Sequence, residues 1–228
     1  MSTPITVYDI PSIIPGNAWS PNVWKVRYVL NYKGIPYQTE WVEYPDIEPL
    51  YAKIGAKSHI TKPDGVTPLY TVPVLHDQST GVVISDSAEI ARYLDKAYPD
   101  TPTVFPSGTD AFHYAFMLWK TISVHCRRFL RDSKEKNTSN GRTLEEMAPK
   151  GADKEKEWAR LREDFGTIDA WMKKEDKYFM GDVISYADFT ICAWLLYIRI
   201  VYGADSEEWK NILKWQKGRW GALVKNLE

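Results

Sequence analysis

The chain has 228 residues, 44 % of them hydrophobic, which suits one large domain or two small ones with a proper core. A formal net charge of -1 offers no basic field to hold a nucleic acid. Balanced charge and plentiful aromatics exclude disorder as the dominant state. The opening MSTPITVYDI has neither the basic nor the apolar stretch of a secretory leader. No run approaches the roughly 20 apolar residues that span a bilayer. Cys126 and Cys192 lie in apolar helical patterns and read as reduced core thiols. A cytoplasmic protein without membrane or nucleic-acid partners is expected.

The first half alternates strand and helix signals. Residues 5–10 alternate as a strand, and a loop with two prolines and a glycine covers 11–19. Ser20-Pro21 reads as an N-cap with proline at the first helical position, opening a helix that runs to Lys33 and stops at Gly34. A second strand is expected over 39–44 and a short helix over 46–54, ending at Gly55. Residues 56–68 read as a mobile polar loop. A strand over 72–76 carries Pro73, a turn covers 77–81, and the paired strand covers 82–85. The last helix of this half spans 87–98, with Asp86 and Glu89 at capping-box spacing. Residues 1–98 thus read β-α-β-α-β-β-α, and 99–108, with three prolines and a glycine, read as a linker.

From 109 to 228 the pattern is helical throughout. Phe112, Ala115, Phe116, Trp119, Ile122, Cys126 and Phe129 fall on one face of a first helix. Residues 133–153 are polar and read as a surface excursion. Helices are expected over 154–174, over 185–202 and from about 206. Ser185 and Asp188 again have capping-box spacing. His76, His113 and His125 show no metal-ligand spacing, and no metal is expected.

In order and spacing, four local motifs resemble the cytosolic glutathione transferases over nearly the whole chain: Trp19-Ser20-Pro21, Thr71-Val72-Pro73, Ser85-Asp86-Ser87 and Ser185-Tyr186-Ala187-Asp188. The run from Lys62-Pro63-Asp64-Gly65 to Val72-Pro73 looks most like the fungal Fua class, related to bacterial lignin β-etherases. The resemblance implies a thioredoxin-like N-terminal domain followed by an all-helical one, glutathione as co-substrate, and a homodimer. It also implies a cis Pro73, and a serine-type site in which Ser20 activates the thiol.

The chemistry expected of these residues is specific. A free thiol has a pKa of about 8.5, and lowering it by about 2 units needs roughly 2.7 kcal/mol of thiolate stabilisation. One hydroxyl donor to the sulfur supplies about 1.5–3 kcal/mol and a helix N-terminus about 0.3–1 kcal/mol. Ser20 is therefore a donor and needs no base; its bland alternative is a plain helix cap. Val23 stands where a resolving cysteine would complete C-x-x-C, which disfavours thiol–disulfide exchange. Val72, pushed extended by Pro73, offers its backbone to the cysteinyl unit. Ser87 would hold the α-carboxylate at a helix N-terminus, with Asp86 orienting the ammonium, although Asp86 also reads as a simple cap. His59, Lys57 and Lys62 are candidates for the glycyl carboxylate. A hydrophobic, aromatic electrophile is expected between the 11–19 loop and the first long helix of the second half. Candidate liners are His113, Tyr114, Phe116 and Trp119, although helical spacing equally makes Phe116 and Trp119 core.

Three other readings share the fold. One is a ligandin-type carrier of aromatic compounds or glutathione adducts, another a glutathione-dependent β-aryl etherase. The third is a docking module, disfavoured because Ser20, Pro73 and Ser87 all stand in place.

Overall fold

The computed structural model describes residues 4–12, 14–118 and 150–228. They pack as two compact units. The first comprises residues up to Thr109 together with Ser185–Ala193; the second comprises Asp110–Ile184 and Trp194–Glu228.

The first unit is built on a four-stranded sheet of order β2-β1-β3-β4: β1 Ile5–Asp9, β2 Tyr37–Trp41, β3 Val74–Asp77 and β4 Val82–Ser85. β1 runs parallel to β2 and antiparallel to β3, and β3 runs antiparallel to β4. Helices α1 (Pro21–Tyr32), α2 (Ile47–Ile54) and α3 (Ser87–Ala97) complete it, a 3-10 turn at Tyr44–Asp46 leading into α2. The expected β-α-β-α-β-β-α order is present. Every residue of β1 is buried, the signature of a central strand covered on both faces. Gly55 closes α2 in the left-handed region at φ 72°, where a side chain would be strained.

Three polar clusters hold this unit, and none has a local signal in the sequence. Asp9 at the end of β1 pairs with Arg27 of α1 at 2.9 Å, and the guanidinium lies 5.6–5.8 Å from the ring centres of Trp24, Tyr37 and Trp41. Asp77 at the end of β3 accepts the hydroxyls of Tyr93 and Tyr98, each at 2.7 Å, tying α3 to the sheet. Asp95 accepts the Lys33 ammonium at 2.7 Å, the Thr103 hydroxyl, and the N–H groups of Val104 and Phe105. Lys33 also donates to the Pro102 carbonyl, so the proline-rich segment is fastened to α1 and α3.

The second unit contains α4 (Asp110–Leu118), α5 (Gly151–Trp171), α7 (Glu207–Ile212), α8 (Arg219–Leu227) and the second half of α6 (Tyr186–Tyr202). Its core is aromatic: Phe165 contacts Trp215 and Trp220 at 5.9 and 5.1 Å between ring centres. Arg219 binds the Asp169 carboxylate and the carbonyls of Lys173 and Asp176, joining α8 to the end of α5. The single last helix expected from about 206 is instead two, separated by a 3-10 turn at Trp215–Gly218 in which Gln216 and Lys217 have positive φ. Helix α5 begins at Gly151, inside the stretch expected to be surface excursion, and the rest of that stretch lies outside the described residues. Among the described residues, no helix is long and apolar enough to cross a membrane.

Candidate active site

Strand register gathers three of the four motifs at one end of the sheet. Tyr8 of β1 pairs with Val74 of β3, so the exit of β1 lies beside the entrance of β3. Val74 in turn pairs with Ser85, so the exit of β4 lies there too. The loop to Ser20 leaves β1, Val72-Pro73 precedes β3, and Asp86-Ser87 follows β4. Loop ends at such a sheet edge are where α/β folds hold ligands.

Ser20 is the N-cap residue of α1, with Pro21 at N1. Its carbonyl accepts the Trp24 N–H at 2.9 Å and starts the helix. Its hydroxyl makes no capping bond to the helix. Ser20 is nevertheless only 7 % exposed. Ser20 is thus the N-cap by its backbone, while its hydroxyl is not spent on the helix it opens. The preceding loop is shaped by its own bonds: the Ser12 hydroxyl donates to the Asn17 carbonyl and the Trp24 indole N–H to the Ala18 carbonyl.

The Val72–Pro73 bond is cis. Val72 is buried, and the carbonyl just before it, on Thr71, accepts the Tyr51 hydroxyl at 2.7 Å. Burial raises the Tyr51 pKa, so this phenol remains a donor.

Asp86 stands at φ 73° and caps α3, accepting the N–H groups of Ala88 and Glu89 on one oxygen. The cap reading of Asp86 therefore holds. Ser87 is 7 % exposed. Its hydroxyl oxygen accepts the Tyr186 phenol at 2.9 Å. Among the described residues, its backbone N–H is left as the outermost donor of α3.

The loop carrying Lys57, His59 and Lys62 is more ordered than its composition predicts. The Ser85 hydroxyl donates to the Lys57 carbonyl at 2.6 Å, and the Ser58 hydroxyl to the Leu69 carbonyl at 2.7 Å. A turn at Lys62–Gly65 closes through Gly65 N–H to the Lys62 carbonyl, and Asp64 accepts the Thr67 hydroxyl and the N–H groups of Val66 and Thr67. Those bonds, the Thr67 hydroxyl foremost, pull the exposed Asp64 carboxyl down to about 2. All three basic candidates are exposed.

The expected pocket liners fare unevenly. Tyr114 is 50 % exposed, whereas His113 is fully buried. Phe116 packs its ring 5.0 Å from Phe179 and 6.0 Å from Phe112 within the helical unit, so it is core. Trp119 lies outside the described residues. The buried side of α4 runs through His113 and Phe116, while Phe112 and Ala115, expected on the apolar face, are exposed. The helical unit also has an open groove of about 920 Å³ walled by Trp158, Arg162, Glu163, Lys214 and Trp215. Its mixed charges define no ligand.

At the N-terminus of α6 the Asp188 carboxylate accepts both the N–H and the hydroxyl of Ser185 at 2.9 Å, as the capping spacing predicts. Sequence reasoning missed Tyr51, Ser85 and Tyr186. Only Ser85 and Tyr186 had a signal, each being a polar side chain inside a quoted motif.

The sheet and the helices around it define a thioredoxin-like unit, and the rest of the described chain is helical. Models of the N-terminal and C-terminal domains of glutathione S-transferase match residues 19–97 and 113–228. A glutathione S-transferase of Ceriporiopsis subvermispora, CsGST63524, crystallised with glutathione, is 44 % identical with a TM-score of 0.88, covering 98 % of this chain and 96 % of that one. Glutathione transferase GSTFuA3 of Phanerochaete chrysosporium is 36 % identical with a TM-score of 0.87, covering 100 % and 97 %. The glutathione S-transferase-like protein ustS of Aspergillus flavus is 30 % identical, covering 97 % of this chain and 88 % of that protein. The chain belongs to the glutathione S-transferase family. It is a glutathione transferase with glutathione as co-substrate, and the expected likeness to the fungal Fua class is borne out.

Proposed function

We propose that this enzyme activates the glutathione thiol by a hydrogen bond from Ser20 and presents the thiolate to a hydrophobic, aromatic electrophile. The observation that carries this reading is Ser20, a largely buried residue whose hydroxyl is not used to cap its own helix, at the sheet end shared with Val72-Pro73 and Ser87. In this reading the Ser20 O–H donates to the sulfur, and the N-terminus of α1 adds its partial positive charge. Together these supply about 2–4 kcal/mol of thiolate preference, enough to lower a thiol pKa of about 8.5 by roughly 2 units. The backbone of Val72 pairs with the cysteinyl unit. Ser87 donates from N–H and hydroxyl to the γ-glutamyl α-carboxylate, and the Asp86 carboxylate orients the ammonium. Lys57 and His59 lie on the loop that Ser85 ties to this end of the sheet, which suits the glycyl carboxylate.

The homodimer, the cytoplasmic location and a detoxification or ligandin role belong to the same proposal and rest on the family resemblance.

The test is a pH titration of the thiolate ultraviolet absorbance of bound glutathione in the wild type and in Ser20→Ala. A bound thiol that ionises well below its free value in the wild type, with the shift shrinking in the variant, supports the reading. Bound glutathione with an unmoved pKa would replace it by the carrier, and absence of binding would overturn both.

A further inference from the structure

Tyr186 enters the first unit from far along the chain, at the first position of α6. It is 1 % exposed, and burial raises its pKa, so the phenol stays protonated. Its ring stacks on Phe105 at 5.0 Å between centroids and 28° between planes. Its N–H donates to the Val104 carbonyl at 2.8 Å, so backbone and ring are both held by the linker segment. The Arg92 guanidinium also lies over Phe105, 4.2 Å from its ring centre. The Tyr186 hydroxyl has therefore little freedom to move, and it donates to the Ser87 oxygen at 2.9 Å.

A serine hydroxyl has one proton and two lone pairs. With one lone pair occupied from behind by a fixed phenol, the Ser87 proton is turned away from Tyr186. It is left for another acceptor, near the Ser87 N–H at the start of α3. An oxygen that accepts one hydrogen bond also donates a stronger one.

We propose that Tyr186 is a positioning residue for glutathione: its phenol fixes the Ser87 hydroxyl so that Ser87 gives its proton to the α-carboxylate of the γ-glutamyl group. This rests on the proposed glutathione site above. Tyr186 acts only on the end of the tripeptide remote from the sulfur, so it governs affinity and leaves thiol activation alone.

The experiment compares wild type, Tyr186→Phe, Ser87→Ala and the double variant by calorimetric glutathione titration and steady-state kinetics. Tyr186→Phe keeps the ring on Phe105 and removes only the donor. Its KM and Kd for glutathione rise about three- to tenfold, the loss of one neutral hydrogen bond, while kcat at saturating glutathione and the bound thiol pKa stay within error. Ser87→Ala costs more, and adding Tyr186→Phe to it changes nothing further, because the phenol acts through Ser87. Additive losses in the double variant, or a Tyr186→Phe enzyme with wild-type affinity beside a weakened Ser87→Ala, would overturn the proposal while leaving the glutathione site standing. A wild type that does not bind glutathione overturns both.

Should Tyr186→Phe fail to fold, the wild type labelled with carbon-13 at the tyrosine ζ position answers the same question. Glutathione shifts the Tyr186 resonance, and cysteinylglycine, which lacks the γ-glutamyl group, leaves it in place. A resonance that ignores both ligands, or follows both equally, sinks the proposal.

Discussion

The Ser85 hydroxyl donates to the Lys57 carbonyl at 2.6 Å, joining the last residue of β4 to the loop after α2 across 28 positions of sequence. The same strand end continues into Asp86 and Ser87, so one hydroxyl sets the spacing between the groups proposed for the two carboxylate ends of glutathione. Ser85→Ala frees the Lys57–His59 segment and leaves a carbonyl unpaired. The KM for glutathione is expected to rise about three- to tenfold with kcat little changed, as one lost hydrogen bond predicts. Unchanged KM in steady-state kinetics would show that the loop plays no part in binding.

Ser20→Ala separates catalysis from stability. A serine that caps a helix costs about 0.5–2 kcal/mol when replaced by alanine. The Ser20 hydroxyl makes no such bond, so urea unfolding of the variant is expected within about 0.5 kcal/mol of the wild type. A larger loss would mean that the hydroxyl stabilises α1 after all.

Asp86 serves α3 as a cap at φ 73°, a backbone setting that alanine tolerates poorly. Asp86→Ala loses the cap and keeps a Cβ at the positive φ, whereas Asp86→Gly loses the cap but relieves that strain. Alanine is expected to destabilise by about 1 kcal/mol more than glycine, the reverse of their usual order in helices. Chemical denaturation of the pair decides it, and equal losses would remove the strain argument.

Acid stability carries a defined sign. Burial pushes the Asp95 carboxyl up, but Lys33, Thr103 and the N–H groups of Phe105 and Val104 outweigh it and hold the pKa below the ordinary 3.8. Burial is likewise outweighed at Asp77 by Ser79, Tyr98 and Tyr93. A depressed folded pKa gives stability that is present above the unfolded value and lost as pH falls through the folded one. Stability is therefore expected to decline as pH falls below about 4. Asp95→Asn flattens part of that decline and costs about 3–5 kcal/mol at neutral pH by leaving the buried Lys33 ammonium without its carboxylate. Parallel acid profiles for the two proteins would refute the assignment.

What the sequence disclosed, and what it withheld, follows from the range of each interaction. Strands and helices of the first unit were legible because glycine, proline and the capping residues mark their ends locally; β4 fell on Val82–Ser85 as read. The 3-10 turn at Trp215–Gly218 escaped because Gln216 and Lys217 give no warning of positive φ. Of the proposed site, Ser20, Val72, Pro73, Asp86 and Ser87 come from their motifs, but not the groups behind them. Tyr186 meets Ser87 across 99 positions and Lys33 meets Asp95 across 62, and no local pattern encodes such partners. His113 and Phe116 show the opposite failure: aromatic character at helical spacing reads alike whether a ring lines a pocket or fills a core.

Helix α6 belongs to both units, its first residues to one and the remainder to the other. The thioredoxin-like unit is therefore not a separable module of the chain. A fragment ending in the proline-rich segment would lack Tyr186, Phe189 and Cys192, whose side chains fill places beside Ser87, Tyr32 and Tyr28. That interior can close only once the chain through Ala193 has been made. Domain exchange between relatives has to carry this stretch of α6 along with the half it completes.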